Sequence, residues 1–370
     1  MKLHHQLLFL LFSFLFSGVV FAKSQPSVGH ISGYVDTSYN YLVRSNHFVS
    51  GTLNRYNDVA KNGISLQQFS VKFENTPDQG IGELLHIIIG RDANVLAPKG
   101  LNPDMFGIQN IGITVPGAYV QYQQKLTTFI IGEMQSLAGY ETLEYPQTPF
   151  FSDSILYGYA EPGTHLGARL TQILNEQFSI NLGINNGWNT IERAGQQNTL
   201  EFAVNYHPTK AFSFTADAYT GQQHHLLRSS VGPTSRLNFF DIYGTWHATS
   251  KLSFSLNLDR AVLAKALLPN QQIAQAIWKG AAGYISYQIS EKWVTNLRGE
   301  VFDDSNGYRS GIRQNWREAT LSLAYHPFKN WQIRGETRHD FSNVNSFKNK
   351  SGNGTNANQQ SYAADLLYLF

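Results

Sequence analysis

Four stretches of this chain share one grammar. YHPTKAFSFTADAY from Tyr206, WHATSKLSFSLNLD from Trp246, YQISEKWVTNLRGE from Tyr287 and YHPFKNWQIRGETR from Tyr325 each open on an aromatic. A short polar turn with a lysine follows, and then residues that alternate apolar and polar. YQQKLTTFIIGEM from Tyr122 is an earlier copy and LTQILNEQFSINLG from Leu170 a weaker one. The leading aromatics recur roughly every 40 residues, a period that also suits propeller blades and solenoids. Each unit here reads as two strands and one long loop. The repeat therefore predicts antiparallel hairpins, with short turns at one end and long loops at the other. His207-Pro208 and His326-Pro327 fall at those turns and read as turn residues, not as metal ligands.

Following the alternation along the chain predicts strands over 28–43, 64–75, 81–91, 113–124, 126–134, 163–174, 177–186, 197–207, 211–220, 236–248, 251–260, 276–289, 292–302, 315–326, 330–340 and 359–370. The expected fold is all-β, an antiparallel up-and-down transmembrane barrel of about 16 strands, with about 14 or 12 as alternatives. An even count returns both ends to one side.

The first 22 residues, MKLHHQLLFLLFSFLFSGVVFA, read as a secretory signal cleaved after Ala22, leaving 23–370 as the barrel. A retained helix is the competing reading, but the apolar run is short for a span. Cysteine is absent, so neither a lipid-modified cysteine nor a disulfide is available. After Ala22 no run approaches the ~18 apolar residues of a helical span. The charges nearly cancel, 28 Lys+Arg against 26 Asp+Glu, which argues against a nucleic-acid partner. Only 15% of residues are charged and 13% are aromatic, as suits a lipid-facing exterior with aromatic girdles. The final stretch QSYAADLLYLF puts Tyr362, Ala364, Leu366, Tyr368 and Phe370 on one face. A terminal strand of a soluble sandwich is the alternative. The stretch resembles the C-terminal signal of Gram-negative outer-membrane proteins. That likeness implies a lipid-embedded barrel in the bacterial outer membrane, with Phe370 read by the barrel-assembly machinery.

A barrel of this width leaves an aqueous lumen, and the charges fix which residues face it. A charge on the lipid face at mid-depth costs about 2–4 kcal/mol. The inward sets are thus Gln332, Arg334, Glu336 and Arg338; Asn296, Arg298 and Glu300; and Arg169, Glu201, Asp217, Asp241, Asp259 and Glu318. Mixed signs predict a hydrophilic pore of weak ion selectivity, or else charges that pair with one another and close the lumen. Loop 135–163 carries Glu141, Glu144, Asp153 and Glu161 with no Lys or Arg. It is the candidate constriction, with Arg169, Arg298, Arg334 and Arg338 as the opposite wall. An ordinary solvated loop is the alternative, and loop 92–111 competes for the role.

The middle of the chain resembles the OmpL-like β-barrel porin family. The likeness rests on Gly139-Tyr140-Glu141, Ile155-Leu156-Tyr157-Gly158-Tyr159-Ala160, Pro162, Thr164-His165, Gly167, Arg169 and Asn186-Gly187-Trp188. The opening GYVDTSYNY from Gly33 fits as well, while Asn189 stands where an Asp is common. The resemblance implies a porin-type outer-membrane barrel, with no catalytic set, cofactor or defined substrate.

Three functions compete. The first is passive diffusion of small hydrophilic solutes. The second is a non-conducting barrel acting through its outer loops, such as the Asn-rich 343–358. The third is a barrel enzyme, which the absence of G-x-S-x-G and the apolar neighbours of His86, read on an outward phase, argue against. No plug-like segment precedes the first strand, which argues against an energy-coupled transporter. Outward small residues such as Gly244 and Gly335 leave room for a homo-trimer.

Overall fold

The computed structural model describes residues 29–43, 55–56, 63–104, 111–193, 197–223, 235–348 and 355–370. The signal segment 1–22 lies outside the described residues.

Alternation becomes sheet throughout. The strands are β1 (His30–Leu42), β2 (Gly63–Asn75), β3 (Gly80–Gly90), β4 (Gly112–Gln124), β5 (Thr127–Gln135), β6 (Thr164–Ile173), β7 (Phe178–Asn185) and β8 (Thr199–Thr209). They continue as β9 (Phe212–Gln223), β10 (Ser235–His247), β11 (Leu252–Leu267), β12 (Ile273–Ser290), β13 (Trp293–Asp304), β14 (Gln314–Tyr325), β15 (Trp331–Ser342) and β16 (Asn358–Leu369). Every strand pairs with its chain neighbours, and β1 pairs antiparallel with β16 to close a sixteen-stranded barrel. Closure leaves no unpaired edge, so the strand ladders satisfy their own backbone groups without water. At the seam Gly33 and Phe370 exchange N–H···O bonds of 2.9 Å in both directions. The Phe370 ring covers Gly33, where a Cβ would come within 2.6 Å of it, and stacks on Phe69 with centroids 6.3 Å apart.

Aromatics meet in pairs at the short-turn end, the repeat openers Tyr206 and Tyr325 among them. Phe178 stacks on Tyr206 (4.3 Å), Trp293 on Tyr325 (4.4 Å), and Trp331 meets Tyr368 (4.8 Å). Above this girdle the outer surface is apolar, with Ile131, Leu182, Leu256, Leu297 and Leu321 exposed.

Two details differ from the sequence reading. Strands β11 and β12 run well past 260 and begin before 276, leaving only 268–272 as their turn. The polar alternation fades there because Ala261, Leu263, Ala266 and Ala276 face inward and pack in an apolar cluster inside the barrel. His86 is not outward. It is buried, opposite the lumen residue Lys72, with Ser70 Oγ 2.8 Å from its Nε2. Strand β3 is apolar on both faces (Leu84, Leu85, Ile87, Ile88), so alternation alone does not set its phase.

Candidate functional site

The long loop between β5 and β6 (136–163) turns into the barrel and is fastened there along its whole length. It begins near β9 and β10, where Leu137 N–H donates to Tyr219 Oη (2.8 Å) and Gly139 N–H to Asp241 (2.9 Å). On β11, Asn257 accepts from Tyr140 N–H at 2.9 Å and donates to Glu161 at 2.9 Å. Further round, Asn296 and Ser322 donate to the Pro149 carbonyl (3.3 and 3.0 Å). Trp278 Nε1 donates to the carbonyl of Ala160 (3.1 Å). At the far side Tyr145 Oη donates to Asp92 (2.7 Å), which also accepts from Gln68 (3.1 Å). Burial, then Asp92, pushes the Tyr145 phenol well above its usual range, so it remains a donor. The loop closes with a wide turn in which Glu161 N–H reaches back five residues to the Leu156 carbonyl (3.2 Å).

The charged residues singled out in the sequence are the fasteners. Arg298 Nη1 donates to Glu141 (2.7 Å) and to the Ser152 carbonyl (2.8 Å), and its Nε to Glu318 (2.8 Å). Arg334 pairs with Asp365 and donates to the carbonyls of Thr148 (2.8 Å) and Phe150 (2.9 Å). Arg338 donates to the Asp153 carbonyl (2.6 Å) and pairs with Asp340 (2.9 Å). The wall carboxylates do the converse. Glu336 accepts from Phe151 N–H (2.8 Å) and Ser152 N–H (3.2 Å), and Glu300 from Ile155 N–H (2.6 Å) and Leu156 N–H (3.2 Å). Glu141 caps Ser154 N–H at 2.7 Å.

The structure therefore corrects the expected transverse arrangement. Arg298, Arg334 and Arg338 do not stand across water from the loop. They lie beneath it, 0–1% exposed, because unbonded loop carbonyls in a dry interior need charged donors. Arg169 sits apart on β6, paired with Glu201 at 2.5 Å and donating to the Gln135 carbonyl at 3.0 Å. Glu144 differs from the other loop acids. Its side chain is 15% exposed and lies 3.5 Å from Lys72. Lys72 and Glu74 are more open still, at 24% and 36%.

A second acidic feature lies where the loop leaves the wall. Asp217, Asp241 and Asp259 stand side by side in register on β9, β10 and β11, and Glu161 is bonded to Asn257 beside them. The lumen arginines pair elsewhere, with Glu201, Glu141, Glu318, Asp365 and Asp340. Burial, reinforced by Asp241, holds the Glu161 carboxyl well above the usual carboxylate range against the hydrogen bonds from Asp259 and Asn257.

Sequence reading missed an apolar core inside the barrel. Phe150, Ile155 and Leu156 of the loop pack with Tyr219, Phe239, Trp278, Phe302 and Trp316 of the wall, joined by Trp188, Tyr308 and Phe347 from other loops. The signal was present. Tyr219, Phe239, Phe302 and Trp316 each lie two positions from an inward acid: Asp217, Asp241, Glu300 and Glu318. They must share its face. The competing loop 92–111 opens with one helical turn, Ala93–Leu96, and bridges to Thr190 through Lys99. Residues 105–110 lie outside the described residues.

A closed sixteen-stranded barrel with a loop folded into its lumen has the architecture of a porin. The sequence from 29 to 370 matches the family described as "Putative beta-barrel porin-2, OmpL-like", and the chain belongs to that family. Its fold is similar to the outer membrane channel DcaP of Acinetobacter baumannii at 11% identity and a TM-score of 0.65, over 95% of this chain and 99% of that one. The anion-selective porin from Comamonas acidovorans matches at 10% identity and 0.62, over 93% and 100%. The trimer form of OmpT from Vibrio cholerae matches at 9% and 0.61, over 94% and 100%. Nothing among curated proteins matches the sequence. Family and fold point to a channel, not to an enzyme.

Proposed function

We propose that this protein is a bacterial outer-membrane porin that passes small hydrophilic solutes or ions by diffusion, with loop 136–163 as its constriction and a homo-trimer as its assembly. One observation carries the reading. The loop is bonded inside the lumen from β9 round to β15, narrowing a barrel otherwise too wide for side chains to fill. The mechanism has no chemical step, so rate and selectivity follow from width and lining charge. Lys72, Glu74 and Glu144 are part-exposed lumen charges, one cation against two acids. A weak preference for cations follows. The trimer form of OmpT supports the assembly by likeness of fold.

The test is single-channel conductance of the refolded protein in a planar bilayer, with a salt gradient. Stable open steps with a mildly cation-selective reversal potential support the proposal. A folded barrel that stays silent sinks it. Such silence would favour the second reading, a closed barrel working through its outer loops. The interior apolar core speaks for that reading, as does Arg55 of the first long loop, buried and 2.5 Å from Asp340.

A further inference from the structure

The outside of β12–β14 breaks the apolar surface in two ways. A groove of about 600 Å³ runs over Ala281, Gly283, Gly299 and Val301, with Arg317 and Phe341 at one end. Gly283 faces Gly299 and Gly299 faces Ala319 across the ladder, so three small residues form one level row. A Cβ built on Gly283 or Gly299 meets nothing nearer than 4.0 Å, so this is open space and not a packed contact. Immediately above, Arg260, Lys279 and Asp303 are direct cross-strand neighbours, with Arg317 one row below.

The charge there is one-sided. Arg236, Arg260, Lys265, Lys279 and Arg317 are exposed on this half of β10–β14, against the half-exposed acid Asp303, which lies 3.8 Å from Lys279. Height places them. Lys279 and Arg317 stand about eight residues along their strands from the girdle residues Tyr287 and Tyr325, or about 20–22 Å at a ~3.4 Å rise and a ~40° tilt. An apolar band is about 25 Å tall. The basic row therefore lies about 3–5 Å inside the long-loop edge of that band, within snorkelling reach of the headgroups, and the groove lies just beneath, among acyl chains.

We propose that this surface is a lipid site, in which an acyl chain of lipopolysaccharide fills the groove over Ala281, Gly283 and Gly299 while its phosphate is held by Arg260, Lys279 and Arg317. Arginine forks and a lysine are the donors that suit phosphate oxygens, and a headgroup at this level needs no deep burial of charge. A second copy of the chain fits less well. Among the described residues of β10–β14 at this height, Asp303 is the acid available to oppose the row, and Lys279 already engages it. The site rests on the outer-membrane placement proposed above, which puts the long-loop end in the outer leaflet.

The test uses the full refolded chain in phosphatidylethanolamine liposomes, with lipopolysaccharide added at increasing fractions. Saturable binding is expected, read by labelled lipopolysaccharide and by a rise in the unfolding temperature. R260Q/K279Q/R317Q should weaken it by about tenfold or more. Gly299→Leu keeps the charges but occupies the groove, and should weaken it as well. Phosphatidylglycerol in place of lipopolysaccharide should not saturate. Unchanged binding by both variants overturns the site, and equal binding of phosphatidylglycerol overturns its lipopolysaccharide character. A Gly299→Leu protein that loses only its oligomeric state shows the groove to be an interface between copies, which also overturns it. Heat-modifiable migration in the same samples reports barrel insertion. A chain that never inserts takes down the membrane placement together with the site, whereas an inserted barrel that binds nothing takes down the site alone.

Discussion

Arg298 of β13 and Glu141 of the inward loop stand 2.7 Å apart, and neither side chain reaches water. The same guanidinium also serves Glu318 and a loop carbonyl. Removing it would strand several buried acceptors, and breaking a buried pair in this way costs about 3–5 kcal/mol. We expect Arg298→Ala to lower the thermal unfolding temperature sharply. Arg298→Lys should not rescue it, since an ammonium cannot reproduce the fork. The double variant Arg298→Met/Glu141→Leu should recover part of the loss. Melting curves in detergent for the three proteins decide this, and full stability in Arg298→Ala would contradict it.

Glu336 receives two consecutive loop N–H groups, those of Phe151 and Ser152. Glu336→Ala leaves both unsatisfied, at about 1–3 kcal/mol. That cost falls on loop docking and not on the barrel ladder. We expect faster protease cleavage within 136–163 and noisier, larger conductance steps, with strand content unchanged by circular dichroism.

Glu161 gives the loop a pH dependence of definite sign. Its native carboxyl holds a proton more tightly than the unfolded group does, because burial and then Asp241 oppose ionisation. Where the unfolded group has lost its proton and the native one has not, stability falls as pH rises. The loss begins near the unfolded value of about 4.3 and continues through the raised native value. Glu161→Gln should flatten that dependence and leave the protein more stable than the parent on the alkaline side. Unfolding temperatures measured across about pH 4 to about pH 9 test it.

Lys72 is a part-exposed lumen cation that faces Glu144 and Glu74. Reversing it to Glu should shift the reversal potential further toward cations, while Glu144→Lys should shift it toward anions. Identical reversal potentials in both variants would remove this triad from the conduction path.

Gly33 has no room for a side chain at the seam: a Cβ would lie 2.3 Å from the Ser70 carbonyl and 2.6 Å from the Phe370 ring. Gly33→Leu should slow or block closure, read as loss of the heat-modifiable band. Gly335→Leu, where nothing lies within 4 Å, is the matched control and should close normally.

Period-two alternation was enough to find all sixteen strands, because lipid on one side and water or protein on the other force it. Charged residues set the phase well where they occur, as on β13 and β15. Phase was illegible on β3, where both faces are apolar. The residues of the loop seam were legible as inward charges, but their partners were not. Arg334 bonds to carbonyls 184–189 positions away, and main-chain acceptors leave no mark in side-chain sequence. The interior core escaped because an inward Trp278 or Phe302 looks like a lipid-facing residue until the nearby charge is used to place it.

The inward loop is made long before the surface that receives it. Gly139 bonds to a residue 102 positions later and Phe151 to one 185 positions later. While the chain emerges in order, the loop has neither the arginines that will satisfy its carbonyls nor the aromatics that will cover its apolar side. Its native shape can appear only after β15 is in place and the cylinder is nearly complete. Docking the loop is therefore a long-range event, whose closure entropy is met only by a wall assembled from strands far along the chain.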